Sequence, residues 1–146
     1  MLAALPALAQ PRPRMDVPVL AGGGGASACP GRGEVVGLDP NGDGFLSVRS
    51  GPGGRPYTEV DRVHNGQPVY VCDESGPWLA AVYPRDGQGA DACNVARAWA
   101  TRQPYTGPCA YGWMHGRYVR RTGLTAPARA PSPPPPSPPA FGEKSR

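Results

Sequence analysis

Four cysteines, Cys29, Cys72, Cys93 and Cys109, are spread through the middle of a chain that also holds 21 glycines and 21 prolines. That density of turn formers excludes a helical bundle or a long coiled coil. No apolar run approaches the roughly 20 residues that a membrane-spanning helix requires. Only residues 29–124 have the composition to bury a core, and a core of that size is marginal by itself. An even cysteine count in such a domain reads as a disulfide framework. None of the spacings is C-x-x-C, and His64 and His115 do not stand at finger spacing, so no metal and no cofactor is expected. Three pairings are open from the sequence. The favoured one joins Cys93 to Cys109, closing one loop, and Cys29 to Cys72, tying the start of the domain to a strand. Such bonds persist in an oxidising compartment, so the expected location is secreted or periplasmic.

The formal charge is +4, but residues 29–124 carry ten Arg against nine Asp and Glu. The excess therefore sits on the two ends, the reverse of what a compact nucleic-acid face needs. Residues 2–9 read as the back half of a secretory signal peptide, ending in the small-x-small step Ala7-Leu8-Ala9, which places cleavage before Gln10. Pro6 shortens its apolar run and no basic stretch precedes it, so the true start is expected upstream. Residues 10–28, with Pro11, Pro13, Pro18 and the run Gly22 to Gly25, read as a flexible leader. Residues 125–146 read as a disordered tail, with eight prolines between positions 127 and 139 forming an extended polyproline segment of roughly 40 Å. Within it, Pro131-Ser132-Pro133-Pro134 fits the P-x-x-P pattern taken by aromatic grooves. The pattern is loose, and a solvated spacer is the plainer reading.

Between these ends the signals are those of short strands. Phe45-Leu46-Ser47-Val48-Arg49 alternates Leu46 and Val48 against Phe45, Ser47 and Arg49, and a Ser-Gly-Pro-Gly-Gly turn follows. Val60 and Val63 precede the turn dipeptide Asn65-Gly66, which leads into the β-branched and aromatic run Pro68-Val69-Tyr70-Val71-Cys72. A further strand spans 78–83, and Gly112-Trp113-Met114-His115 begins another. The interval 84–110 is long for a compact domain, carries a helix-compatible stretch at 92–100, and would be braced by Cys93 and Cys109. The chain is predicted to be all-β, a small barrel or sandwich of short strands.

Residues 37–53, Gly-Leu-Asp-Pro-Asn-Gly-Asp-Gly-Phe-Leu-Ser-Val-Arg-Ser-Gly-Pro-Gly, resemble the opening strand and loop of bacterial SH3-like domains, with their apolar-x-Val-Arg-x-Gly-Pro signature. The resemblance continues through Gly76-Pro77-Trp78, Val82, Gly112-Trp113-Met114-His115 and Tyr118-Val119, covering most of residues 34–121. It implies a partly open barrel of five to six strands, here with a disulfide-braced insertion before the last strand. It also implies a non-enzymatic extracytoplasmic recognition or targeting module, acting as a monomer. The implied ligand is cell-wall peptidoglycan or an envelope protein or peptide. The insertion departs from the plain domain, so a ligand surface carried over from shorter relatives is altered here.

The expected binding residues are Arg49 beside its loop, Trp99, Tyr105 and Tyr111 in or beside the insertion, and Tyr118 near the last strand. Rigid aromatics with Arg97 and Arg102 nearby have the composition of a binding hot spot, although the same aromatics would equally form a mini-core within the insertion. Arg49 lies opposite Leu46 and Val48, from where it can reach a carboxylate, while Gly51 and Gly53 supply backbone angles that other residues avoid. The same arginine and turn would also serve simply to shape the fold. Trp78 and Trp113 are expected to pack as core or hinge residues. Asp39-Pro40-Asn41-Gly42-Asp43-Gly44 matches the first half of a calcium loop but has Ser50 where the bidentate Glu belongs, so an Asx turn is expected. A Cys-His hydrolase, from Cys72 with His64 or Cys109 with His115, lacks an orienting third residue and would compete with the disulfides. The alternative to a recognition module is an envelope assembly accessory that tethers partner proteins through barrel and proline-rich tail.

Overall fold

Three stretches of nearly unbroken apolar sequence, around 68–72, 78–83 and 110–114, lie next to one another at the centre of an antiparallel sheet. The computed structural model describes residues 14–124. The expected signal remnant at 1–9, residues 10–13 and the expected disordered tail at 125–146 lie outside the described residues. The strands are β1 (Leu20–Ala21), β2 (Gly31–Val35), β3 (Leu46–Arg49), β4 (Glu59–Val63), β5 (Pro68–Ser75), β6 (Trp78–Tyr83), β7 (Gln103–Pro104), β8 (Ala110–His115) and β9 (Val119–Leu124). Seven of them form one sheet in the order β4-β3-β8-β6-β5-β2-β9, and β1 pairs with β7. The chain is all-β, as its sequence predicts. The main sheet has more strands than the five to six expected. Its β2, Gly-Arg-Gly-Glu-Val, carries two glycines and does not read as a strand.

Alternation along the strands sorts the apolar side chains onto two faces. Val69, Val71, Leu79, Ala81, Tyr83, Ala110 and Met114 belong to one buried cluster, together with Val35, Leu46, Val48, Val63 and Val119. Every strand of the main sheet contributes to it, and the sheet curls around it. The Tyr83 hydroxyl on β6 donates to Asp61 Oδ2 on β4 at 2.6 Å, although β6 and β4 are three strand spacings apart, about 14 Å in a flat sheet. Asn65 and Leu38 exchange two hydrogen bonds, at 2.9 and 3.0 Å, across the end of the curl. No ladder joins β4 to β9 among the described residues. Gly112 permits the closest packing on this inner face, because any Cβ there would overlap Val48 Cγ1.

Tyr70, Cys72, Ala80, Val82, Tyr111 and Trp113 point the other way, into a second cluster. Left bare, they would form an exposed apolar patch. Two segments outside the main sheet cover them. Of the leader, expected to be flexible, the stretches either side of the exposed residues 23–26 are packed on the sheet: Val19, Ala21 and Ala28 are buried, and the Asp16 and Val17 amides donate to the Ser50 carbonyl at 3.0 and 2.9 Å. Fully buried Ser50 also donates through Oγ to the Asp16 carboxylate at 2.5 Å, and Trp113 Nε1 donates to the Val17 carbonyl at 2.9 Å. The leader is held because the outer face of β5, β6 and β8 needs apolar cover.

The second covering segment is the excursion 84–109. Tyr83 pairs directly with Ala110, so the chain leaves and returns at the same end of the β6/β8 pair. It contains a short 3-10 turn, Ala90–Cys93, ended by Asn94 in the left-handed region, instead of a longer helix over 92–100. The disulfides are Cys29–Cys72 and Cys93–Cys109, the favoured pairing, and all four cysteines lie in the outer cluster. Among the described residues no helix is long and apolar enough to cross a membrane.

Candidate functional site

The five expected binding residues are not brought together. Tyr105 is only 2% exposed; its hydroxyl donates to the Cys93 carbonyl at 3.0 Å and accepts from the Cys109 amide at 3.3 Å. Burial pushes its phenol above the usual tyrosine range. Trp99 stacks parallel on it at 6.0 Å, and Tyr111 meets it edge-on at 5.5 Å. These three form the mini-core of the insertion, with Trp99 alone half-exposed and its indole N–H committed to the Asn94 carbonyl at 3.0 Å. Arg49 reaches no carboxylate: its Nη2 donates to the Tyr57 carbonyl at 2.5 Å, bracing the turn between β3 and β4. Gly51 in that turn does not need a positive φ; any Cβ there would overlap the Tyr57 ring, so its requirement is close approach.

Tyr118, the fifth residue, belongs to a different constellation. Trp78 opens β6 after the Gly76-Pro77 turn and His115 closes β8, and the ladder places them opposite each other. Their rings meet edge-on, 5.3 Å between centroids at 72°. The 3-10 turn Gly116–Tyr118 then carries the Tyr118 ring to 6.4 Å from the imidazole at 64°. Gly116 N donates to the Pro77 carbonyl at 2.8 Å, fastening this turn to the β5/β6 turn. His115 Nδ1 accepts from the Arg117 amide at 3.1 Å, which makes Nε2 the N–H donor of the neutral ring. The exposed Arg117 guanidinium lies 5.9 Å from the Tyr118 ring centroid.

The result is a continuous strip of three half-buried rings at one end of the sheet. Trp78 packs on the outer cluster and Tyr118 on the inner one, so the strip straddles the rim where the two meet. Beside Tyr118 opens a groove of about 260 Å³ lined by Leu38, Asp39, Asp43, Phe45 and Leu46. Asp39 Oδ1 accepts from the Asn41 amide at 2.8 Å, the expected Asx turn. The strip therefore presents three mutually inclined rings with a guanidinium at one end and two carboxylates in the adjoining groove. Such a surface can stack sugar rings or prolines and pair with an amine. A larger depression of about 490 Å³ lies between leader and insertion, lined by Ala26, Ala90, Asp91, Asn94 and Arg97, and it offers no aromatic ring.

Trp78 and His115 were not expected at a binding surface: Trp78 reads as a core or hinge residue, and His115 enters the sequence reading beside Cys109 as a hydrolase pair. The readable signal is the Gly-Pro-Trp step, which puts a tryptophan at the first, rim position of a strand. Trp113, by contrast, is buried as expected. All four sulfurs are held in disulfides, so neither Cys72 nor Cys109 offers a thiolate beside a histidine. Among the described residues no three His, Cys, Asp or Glu side chains cluster to hold a metal ion. No family model, curated protein or solved structure matches this chain.

Proposed function

We propose that this protein is a non-enzymatic recognition module of the SH3-like kind, secreted or periplasmic and monomeric. Its ligand contact is the strip of Trp78, His115 and Tyr118, and its ligand is a cell-wall peptidoglycan strand or its peptide. The observation that carries this reading is the run of three half-buried rings, contiguous at 5.3 and 6.4 Å, beside an acidic groove. Aromatic anchors in a partly desolvated setting dominate binding energy at recognition surfaces. Peptidoglycan offers both partners, sugar faces for the rings and peptide amines for Asp39 and Asp43. Three motifs of the SH3-like resemblance fall at strand ends and turns of one curled sheet, which favours the fold assignment: Leu46 to Pro52 on β3 and its turn, Gly76-Pro77-Trp78, and Gly112 to His115 on β8. Two formed disulfides suit an oxidising compartment.

The test is cosedimentation of the oxidised full chain with purified peptidoglycan sacculi. Binding should be saturable, and Trp78→Ala or Tyr118→Ala should weaken it by roughly 30-fold, the effect of losing a hot-spot aromatic. Trp99→Ala should leave it within about twofold, since that ring belongs to the insertion. Unchanged affinity in a folded Trp78→Ala chain removes the strip as the contact. Absence of any saturable binding by the folded parent chain removes the wall ligand.

A further inference from the structure

We propose that the depression between leader and insertion is a second binding site, for a short peptide of small residues with both termini free, its ammonium on Asp91 and its carboxylate on Arg97. The depression shares no residue with the Trp78/His115/Tyr118 strip, so the proposal does not depend on the reading of that strip. Its walls come from two segments that are fastened to each other. The Ala28 amide donates to the Arg97 carbonyl at 2.8 Å, the Cys29 amide to the Val95 carbonyl at 3.2 Å and the Gly23 amide to the Trp99 carbonyl at 2.9 Å. Cys29–Cys72 anchors the first segment to β5, and Cys93–Cys109 closes the second. A cavity of about 490 Å³ is within the size range of small-ligand sites, and walls held in this way lose little freedom when a ligand enters.

The lining selects the occupant. Ala26, Ala90, Ala96 and Ala98 supply methyl groups, and among the described residues no aromatic or larger aliphatic side chain lines the space on which a bulky group could pack. Elsewhere on the surface charges are neutralised in pairs: Arg62 with Glu59, Arg102 with Asp73, Arg120 with Glu34 and Arg121 with Glu74. Asp91 and Arg97 border the same cavity, yet among the described residues neither makes an ion pair, with each other or with any other group. An unpaired carboxylate and an unpaired guanidinium on one cavity are complementary to a molecule that carries an ammonium at one end and a carboxylate at the other. A guanidinium takes such a carboxylate through two parallel hydrogen bonds. Asn94 lies midway between the two in the chain and borders the cavity with them. Its side-chain amide can donate to a carbonyl and accept from an N–H, the two polar groups of a peptide bond. A free amino acid has no internal amide to use it, which is why the assigned ligand is a peptide.

The experiment titrates trialanine, N-acetyl-trialanine and trialanine amide into the oxidised full chain and follows two-dimensional nitrogen–proton spectra. Trialanine should shift, saturably, the amides of Asn94, Arg97 and Ala98 and the Trp99 indole N–H, which donates to the Asn94 carbonyl at 3.0 Å. The Trp78 indole should not move. Acetylation and amidation should each weaken binding roughly tenfold, the loss of one charge-assisted contact. Asp91→Asn should make the chain indifferent to acetylation, and Arg97→Gln should make it indifferent to amidation, because each variant has already lost the contact that the blocked end removes. Both side chains are exposed, so neither substitution touches the core. The comparison of the three peptides on the parent chain needs no variant at all. Absence of a saturable shift with trialanine overturns the proposal, and so does equal affinity for all three peptides. End-blocking penalties that persist in full in the variants overturn it too, as does trileucine binding as tightly as trialanine.

Discussion

On the inner face of the main sheet half of the buried side chains are valines, with Leu46, Leu79, Met114 and three others, and every one of them stands on a strand. On the outer face Tyr70, Cys72, Ala80, Val82, Tyr111 and Trp113 come from the sheet, while Val19, Ala21 and Ala28 come from the leader, Cys29 from the residue that follows it, and Cys93, Val95, Tyr105 and Cys109 from the insertion. The inner face is closed by the curl of one ladder. The outer face is closed by segments that hold almost no ladder of their own, and both disulfides are there. An irregular segment loses as much backbone entropy on ordering as a strand does but gains fewer backbone hydrogen bonds. Covalent closure, which cuts the freedom of the unfolded chain, offsets that difference.

This contrast can be broken or sharpened by experiment. Of the two disulfides, the larger effect should follow removal of Cys29–Cys72, with its sequence separation of 43: Cys29→Ser with Cys72→Ser should cost about 4 kcal/mol of unfolding free energy in the chain-entropy account. The Cys93–Cys109 pair, separated by 16 residues, should cost about 3 kcal/mol when removed in the same way. Denaturant titration of both variants checks the order, and equal or inverted costs would mean that loop closure is not what braces the outer face.

On the inner face, fully buried Met114 has no covalent support, and Met114→Ala should cost about 2–5 kcal/mol through lost contacts and a residual cavity. A cost below 1 kcal/mol would show that the inner face is loosely packed. Ser50→Ala deletes the hydroxyl that joins the Asp16 carboxylate to the β3–β4 turn. It should cost about 1–3 kcal/mol and raise amide exchange in residues 16–21 more than in β6. Equal protection in both would mean that the leader does not depend on this clasp.

The smallest effect near neutral pH should come from Tyr83→Phe, about 1 kcal/mol for the lost hydrogen bond to Asp61. Its pH dependence is more informative. Burial, then the Asp61 carboxylate, raise the Tyr83 phenol well above its usual range. The folded state therefore keeps a proton that the unfolded state releases near pH 10, so this contribution is complete below that pH and declines above it. Melting temperature should fall steeply in the parent above about pH 10 and less steeply in Tyr83→Phe. Parallel curves would remove Tyr83 as the alkaline trigger.

Local sequence was sufficient for much of this. Leu46 and Val48 alternate as a strand with one buried face, and Pro68 to Cys72 and Trp78 to Tyr83 read as strands because β-branched and aromatic residues accumulate between Gly, Pro and Asn turns. The cysteine pairing is only favoured from the loops it would close; three pairings are open in the sequence, and the structure decides among them. Two further things depended on the tertiary structure. One is the fate of residues 14–28: nothing in Pro18 or the glycine run reports that the outer face of β5, β6 and β8 awaits cover, because burial of an extended segment is decided by what it meets. The other is the aromatic strip. Trp78 and His115 become neighbours through the β6/β8 register, and that register spans an insertion whose own path the strands do not encode. Periodicity and turn chemistry act over a few residues and are legible in the chain, whereas a surface built across such a separation exists only once the ladder has formed.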